Sequence, residues 1–342
     1  MKAVQFSAID QVKLIETAEP EISNAKDVKI KVINSGICSS DLAGLHGTNR
    51  LRKPPLISGH EAAGIVWEIG ADVTSVKVGD RVTIEPHYGC GHCVSCKAGK
   101  YNTCPDKKLL GTNYWQGTFA EYVVVPETTV IPIPDEVSFE IAAMLEPFAV
   151  GIHGVRISAI GPGKTVAIIG AGPMGLISLA AAKMQGAEKV IVLATREYQI
   201  EVAKKLGADA IVNVHERNAV EAVLEETDGV GADVVIMAGG HSDTVDQSVQ
   251  MAARNGQLIQ VTHFRHGCPE FDITTFLWKQ LNLQGSYMYT REDYEIAIEA
   301  IASKKVDISP LISKILPIDR APELFEMAQD RTNPCIKLMI AF

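Results

Sequence analysis

The sequence predicts an α/β protein of two domains, a β-rich one over residues 1–151 and a doubly wound parallel sheet over residues 152–285. Three observations carry this reading. A glycine-rich turn, Gly170-Ala171-Gly172-Pro173-Met174-Gly175, joins a β-branched run to a helix-favouring run. Strand-type and helix-type runs then alternate to residue 261, the mark of a parallel sheet covered on both faces. The first 150 residues instead hold short strand-type runs broken by Gly and Pro, and carry two groups of metal-ligand residue types. A length of 342 residues agrees with about two domains.

Composition narrows the partners. Lys and Arg total 32 against 41 Asp and Glu, a net charge of −9, which speaks against nucleic acid. A 46% hydrophobic share suits a packed core, not a disordered chain. Met1-Lys2-Ala3-Val4-Gln5-Phe6 turns polar too early for a signal peptide. Residues 165–183 are apolar enough to suggest a membrane span, but Gly170, Gly172, Pro173 and Gly175 break them into strand, turn and helix. A soluble, cytoplasmic protein without membrane contact is expected.

In the first domain, the alternating run Lys29-Ile30-Lys31-Val32-Ile33 reads as a strand, with Cys38 just past its end. His60 and Glu61 follow in Ser58-Gly59-His60-Glu61-Ala62, and Glu146 in Met144-Leu145-Glu146-Pro147-Phe148. A thiolate, an imidazole and one or two carboxylates are what a catalytic zinc uses, with one position left open. Spacing alone does not bring residues 38, 60 and 146 together.

Four of the seven cysteines, Cys90, Cys93, Cys96 and Cys104, fall within fifteen positions. An odd total without a secretion signal argues against a disulfide framework. The spacing C-x2-C-x2-C-x7-C suits four thiolates held tetrahedrally at ~2.3 Å around zinc. Four protein ligands leave no open position, so this zinc is structural. His87 and His92 flank the lobe, but thiolates outrank them as ligands. Cys268 and Cys335 read as ordinary thiols outside both groups.

In the second domain, residues 164–169 form a strand and 176–183 a helix. Strands at 190–193, 210–212, 233–236 and 257–261 alternate with helices at 197–206, 218–227 and 242–253. The G-x-G-x-x-G turn assigns each glycine a task. Gly170 makes the tight turn, Gly172 lets a pyrophosphate approach, and Gly175 lets helix and strand pack closely. Pro173 and Met174 open the helix whose free N–H groups meet the phosphates. Ala194 stands at the end of the second strand, where an acid usually holds a ribose hydroxyl. A small residue there, followed by Thr195 and Arg196, favours the 2′-phosphate of NADP over NAD. A charge-assisted bond is worth roughly 1.5–3 kcal/mol. The opposing reading makes Arg196 a solvated helix-start residue, with Glu197 as the acid.

With these residues together, the chain resembles the zinc-dependent medium-chain dehydrogenase/reductase family over essentially its full length. The resemblance rests on Gly36-Ile37-Cys38-Ser39-Ser40-Asp41, Gly59-His60-Glu61-Ala62-Ala63-Gly64, Val78-Gly79-Asp80-Arg81-Val82, the four-cysteine lobe and Gly170 to Gly175. It is most similar to the sorbitol (polyol) and sugar-alcohol-phosphate dehydrogenases. The reason is Glu146-Pro147-Phe148-Ala149-Val150-Gly151-Ile152-His153, which stands where alcohol dehydrogenases carry a third zinc-ligand cysteine.

The resemblance implies a GroES-like fold for the first domain, a Rossmann-type second domain, and a return of residues 286–342 to the first. It implies two zinc ions per chain and a homodimer or homotetramer. Cys38, His60 and Glu61 would surround the catalytic zinc, with Glu146 as a further ligand or as the holder of the metal's water. Ser40 matches the family's proton-relay hydroxyl. The expected reaction is hydride transfer between NADP(H) and a secondary alcohol or ketone. An NAD-dependent sugar-alcohol or sugar-alcohol-phosphate dehydrogenase is the alternative.

Two positions depart from the pattern. Ala43 replaces the relay histidine, and Met288, in Gly285-Ser286-Tyr287-Met288-Tyr289, replaces an arginine that contacts polyols. Met288 and Trp115 together suggest a less polar substrate pocket. A zinc-free reductase of this fold would not need Cys38, His60 and Glu146. A binding-only NADP module, structural or sensory, would be expected to have lost a ligand.

Overall fold

The computed structural model describes residues 1–239, 242–263, 269–330 and 332–342; Cys268 lies outside them. The chain divides into two units. The first holds Met1–Glu146, Thr290–Ala302 and Ile312–Phe342; the second holds Pro147–Tyr289 and Ser303–Leu311. Sequence placed the breaks at 151/152 and 285/286, and assigned all of 286–342 to the first domain. The structure breaks at 146/147 and 289/290, and keeps 303–311 with the second unit. The reason is packing: Ile308 and Leu311 are fully buried, and the short helix Ser309–Leu311 lies against the helix Glu197–Lys205.

The first unit is built on a sheet in the order Ile312–Pro317, Lys337–Ala341, Asp27–Gly36, Glu61–Ile69, Arg81–Ile84, Val130–Pro132. Tyr122–Pro126 adds to the strand Asp27–Gly36 as well. Only the first pair is parallel. Val28, Ile30 and Val32 alternate inward and are fully buried, each stabilising by ~1.5–3 kcal/mol. A second apolar centre stacks Phe6, Phe119 and Phe325 edge to face, with ring centroids 5.4–6.3 Å apart. Register decides what meets at the end of this sheet. Gly36 pairs with Glu61 on one side and Met339 on the other. Cys38, two residues on, therefore arrives beside Glu61 and Lys337.

The second unit is a six-stranded sheet, parallel throughout, in the order Ala210–Asn213, Lys189–Ala194, Thr165–Ile169, Ala232–Met237, Ala252–Gln260, Asn282–Gly285. The order reverses between Thr165–Ile169 and Ala232–Met237, and dinucleotides bind where strand order reverses. The helix after the glycine turn runs Pro173–Met184, earlier than the 176 start expected, because proline suits a first helical position. The helix predicted over 242–253 is shorter, Thr244–Met251, since Ala252 already begins the next strand. Asn218 is a cap, its Oδ1 accepting from the N–H groups of Val220 and Glu221. Among the described residues no helix is long and apolar enough to cross a membrane.

The glycine turn yields a stability prediction. A Cβ on Gly175 would lie 1.8 Å from the carbonyl oxygen of Gly170, whereas one on Gly172 meets nothing within 4 Å. Gly175→Ala is expected to cost about 1–3 kcal/mol. At roughly 2–4 °C per kcal/mol, thermal unfolding should show the loss, with Gly172→Ala near wild type.

Candidate functional site

Cys38 ends the strand Asp27–Gly36 and caps the helix Ser39–Leu45. Its N–H donates to Asp41 Oδ2 at 3.0 Å, the reach-back of a capping box. Asp41 is wholly buried. Its Oδ1 accepts from Ser58 Oγ at 2.6 Å and from the Gly59 N–H at 3.3 Å. It also lies 3.5 Å from His60 Nδ1 and 3.7 Å from Arg52 Nε. Burial pushes the Asp41 carboxyl up, but His60, Arg52 and Ser58 outweigh burial and hold it well below the carboxylate range. His60 thus presents its Nδ1 side to Asp41, leaving Nε2 for a metal, the usual arrangement of a ligating histidine.

Glu61 opens the next strand. Lys337 Nζ sits 2.7 Å from each of its carboxylate oxygens and 3.3 Å from the Ile37 carbonyl. The pair is dry, at 1% exposure for Glu61 and 3% for Lys337. Burial lowers the Lys337 ammonium, but the Glu61, Cys38 and Glu146 charges outweigh it and keep the group protonated. Gly36 supplies the room: a Cβ there would lie 2.3 Å from Glu61 Oε2.

The ligand atoms of Cys38, His60 and Glu61 all lie within 4.8 Å of one another. That span suits one ion with bonds of ~2.0–2.3 Å, and thiolate, imidazole and carboxylate are a zinc donor set. Glu146 is not in this group. It lies buried in the first turn of the helix Leu145–Arg156, where its charge reaches Lys337 and Tyr294. Ser40 is half-buried in the helix that Cys38 caps. Trp115 is half-buried and lines a surface cavity; its indole N–H donates to the Val124 carbonyl at 3.1 Å, and its ring meets Tyr88 at 5.6 Å. Met288 belongs to the second unit, half-buried, with φ +54°.

Sequence reasoning missed Asp41, Arg52, Ser58 and Lys337 as parts of this site. Asp41 had a local signal, an acid three residues after a capping Cys. Lys337 had none, being 276 residues from its partner.

Sulfurs of Cys90, Cys93, Cys96 and Cys104 likewise lie within 4.8 Å of one another. Cys104 Sγ accepts from the Cys90 N–H at 3.3 Å, and Cys93 Sγ from the Cys96 N–H at 3.4 Å. The N–H groups of His92 and Cys93 lower the Cys90 thiol to about 6. Burial, then the neighbouring sulfurs, push Cys96 up to about 12. Four thiolates this close need a cation, so the lobe fits a structural zinc. His92 Nδ1 donates to the Cys90 carbonyl at 2.9 Å and His87 packs on Tyr101; neither replaces a thiolate.

At the glycine turn, Gly170 has φ +101° and Gly172 caps the helix Pro173–Met184 with open space before it. Ala194 is fully buried at its strand's end. Thr195 is exposed and donates to Gln199 Oε1. Arg196 caps the next helix, with Nη1 donating to the Tyr198 hydroxyl at 3.1 Å. Among the described residues it has no carboxylate partner.

Residues 24–135 match the family described as alcohol dehydrogenase GroES-like domain, and residues 173–303 the one described as zinc-binding dehydrogenase. The chain is 36% identical to the sorbitol dehydrogenase of Bacillus subtilis, covering 99% of this chain and 97% of that one. It is also 36% identical to the D-xylulose reductase A of Aspergillus niger, covering 98% and 95%. A putative zinc-binding dehydrogenase of Sinorhizobium meliloti, solved bound to NADP, superimposes with a TM-score of 0.93 at 31% identity, covering 100% and 99%.

Asp41→Asn tests the scaffold of the site. Metal affinity at Cys38, His60 and Glu61 should fall 10–100-fold in competition with a chelator, while the four-cysteine lobe keeps its metal. The sign with pH is fixed as well. A carboxyl held low in the fold stabilises fully above its unfolded value of ~3.9 and loses this as pH falls. Asp41→Asn should therefore flatten the acid limb of the stability curve.

Proposed function

The chain belongs to the zinc-dependent medium-chain dehydrogenases, and on that premise we propose that it transfers hydride between NADP(H) and a secondary alcohol or ketone. One observation carries this reading: Cys38, His60 and Glu61 converge within 4.8 Å in a chain that also keeps an intact dinucleotide turn. A binding-only module has no use for that donor set.

Zinc, when bound by Cys38, His60 and a carboxylate, supplies Lewis-acid polarisation of the alcohol oxygen, and the nicotinamide accepts the hydride. The chain does the rest. Asp41 holds the His60 ring by its Nδ1 edge. Lys337 neutralises Glu61, so the carboxylate stays oriented without a second counter-ion. Ser40 is the hydroxyl that takes the substrate proton. Ala43 offers no imidazole to pass it on, so the proton leaves by water. Glu146 lies outside the mutual 4.8 Å group and adds a minor share to the negative charge around Lys337, after Glu61 and Cys38.

Arg196, without an acid beside it, supports NADP as the cofactor. Met288 in the arginine position supports a substrate poorer in hydroxyls than sorbitol. A second zinc in the four-cysteine lobe serves the fold, since its ligands leave no open position.

A second copy of the chain completes the assembly. The strand Asn282–Gly285 is the edge of its sheet. Ile273, Leu277, Trp278 and Leu283 beside it are 45–72% exposed. An exposed apolar edge of this kind can pair with another edge, which supports a homodimer. Leu283→Lys should convert dimer to monomer in sedimentation velocity; a wild-type monomer refutes this part.

The functional test is a rate matrix of the zinc-loaded protein with NADP and NAD. Its substrates are sorbitol, a sugar-alcohol phosphate and apolar secondary alcohols. Activity on an apolar alcohol with NADP is expected, and Arg196→Ala should weaken NADP by about ten- to a hundredfold and leave NAD unchanged. Efficient polyol turnover would overturn the role of Met288. NAD matching NADP would overturn that of Arg196.

A further inference from the structure

The Thr83 hydroxyl lies where three elements of the first unit meet. Thr83 stands in the strand Arg81–Ile84, opposite Ala63, and is fully buried. Its Oγ1 donates to the Ala62 carbonyl at 3.0 Å, and the Ala142 carbonyl lies 3.2 Å away as a second acceptor. Ala62 follows the ligand pair His60 and Glu61, and Ala142 comes four residues before Glu146. The Tyr294 hydroxyl closes the junction, 2.8 Å from Thr83 Oγ1 and 3.3 Å from the Ile84 carbonyl. A threonine hydroxyl has one hydrogen, so with that hydrogen on Ala62 the tyrosine is the donor to Thr83. Tyr294 is fully buried as well. Where no water competes, such hydrogen bonds strengthen one another and each member holds the next.

The same strand and helix are tied to the four-cysteine lobe one step further along. Glu85 comes two residues after Thr83, and Arg291 three residues before Tyr294, at the head of the helix Arg291–Ala302. Arg291 Nη2 lies 2.7 Å from Glu85 Oε2. Tyr101, three residues before the ligand Cys104, donates its hydroxyl to Glu85 Oε1 at 2.5 Å and accepts from the Arg291 backbone N–H at 2.5 Å. Glu85 is buried, so losing one donor leaves its charge short of partners. Two polar contacts thus join strand to helix. Thr83 with Tyr294 lies beside the strand of His60 and Glu61, and Glu85 with Arg291 lies against Tyr101 of the lobe. Every residue in this chain of contacts belongs to the first unit.

We propose that Thr83 and Tyr294 are positioning residues for the metal-ligand strand, and that through Glu85, Arg291 and Tyr101 they link the two metal groups of the first unit, so that an ion in the four-cysteine lobe strengthens metal binding at Cys38, His60 and Glu61. The Thr83 hydroxyl fixes the Ala62 carbonyl, and with it the backbone next to Glu61. An ordered lobe holds Tyr101, Tyr101 holds Glu85 and Arg291 together, and that pair keeps Tyr294 on Thr83. The effect is reciprocal: an ion at either group favours the other by the same factor. The link presupposes that Cys38, His60 and Glu61 form one metal site, as proposed above, and it involves no residue of the second unit.

The test is Thr83→Val and Tyr294→Phe in the full-length protein, each of which removes one hydroxyl and keeps the shape of the side chain. With zinc in the lobe, Co2+ at the Cys38 group is titrated against a chelator and its d–d bands are recorded. Both variants should bind Co2+ there about five- to tenfold more weakly, with altered bands. The amides of residues 60–63 should exchange with deuterium about tenfold faster, the sign of local opening. Thr83→Ser, which keeps the hydroxyl, should restore most of the affinity. Tyr101→Phe, which leaves all four sulfurs in place, should weaken Co2+ binding at Cys38 by a similar factor. Cys96→Ser, which breaks the lobe's ligand set, should do the same, and combined with Tyr294→Phe it should add little, since both act through one path. Wild-type Co2+ affinity and bands in Thr83→Val and Tyr294→Phe overturn the positioning role, even where the melting temperature falls. A loss in those two with none in Tyr101→Phe and Cys96→Ser overturns the link between the groups; should Cys96→Ser not fold, Tyr101→Phe decides alone. A wild-type protein that binds no ion at Cys38 overturns the metal site proposed above, and the link with it.

Discussion

Four ionisable side chains, Asp41, His60, Glu61 and Lys337, are buried at one end of one sheet, and each is tolerable only because of another. An isolated charge in such a place is prohibitive, and a pair with one member removed is worse than no pair. Glu61 needs Lys337, which grips both its oxygens. Asp41 needs the Ser58 hydroxyl, the Gly59 N–H, the nearby His60 Nδ1 edge and the Arg52 guanidinium. The register that pairs Gly36 with both Glu61 and Met339 is what brings these partners together. A slip of one residue would turn the strand residues Glu61 and Lys337 to the opposite face. The arrangement of the first unit therefore answers to this charge cluster as much as to its apolar core.

The four-cysteine lobe answers the same demand differently. Its sulfurs bring no internal counter-charge, and Cys90 and Cys96 are driven in opposite directions, to about 6 and about 12. The lobe's own regular structure is slight: a four-residue helix, a three-residue 3₁₀ turn and a two-residue hairpin at its base. A cation bound by the four sulfurs would supply what those elements lack. The Cys38–His60–Glu61 group has its counter-charges in the chain, whereas the lobe's sulfurs bring none of their own.

Legibility in the sequence followed the range of the interactions. The glycine turn was readable residue by residue because each task is local. Gly170 takes the positive φ, Gly172 faces open space, and Gly175 approaches a backbone oxygen closer than any side chain allows. The cysteine lobe was readable for the same reason, all four ligands lying within one short loop. Cys38, His60 and Glu61 were recognisable as ligand types, but their meeting depends on strand register, which no spacing reveals. Lys337 was invisible, since nothing around it marks a lysine in an apolar strand as a buried counter-ion. Glu146 and Trp115 are legible only as residue types: Glu146 lies outside the mutual 4.8 Å group of ligand atoms, and the Trp115 indole N–H donates to the Val124 carbonyl. The break at 303–311 was missed because it is set by the burial of Ile308 and Leu311, not by any composition shift.

These ranges separate what is free to vary from what is not. The buried charges form a closed account in which any single change leaves a partner stranded, so the metal-binding end of the sheet resists substitution. Ala194, Thr195 and Arg196, which we propose select the cofactor, lie where a strand runs out toward solvent, and among the described residues Arg196 holds the Tyr198 hydroxyl. Met288 is half-buried, beside a fully buried Tyr289. Changing a residue there alters what is bound without stranding a buried charge. A fold by itself fixes neither the cofactor nor the substrate; the residues of the site do. The two proposed specificity positions, Ala194 and Met288, both lie apart from the buried charge cluster.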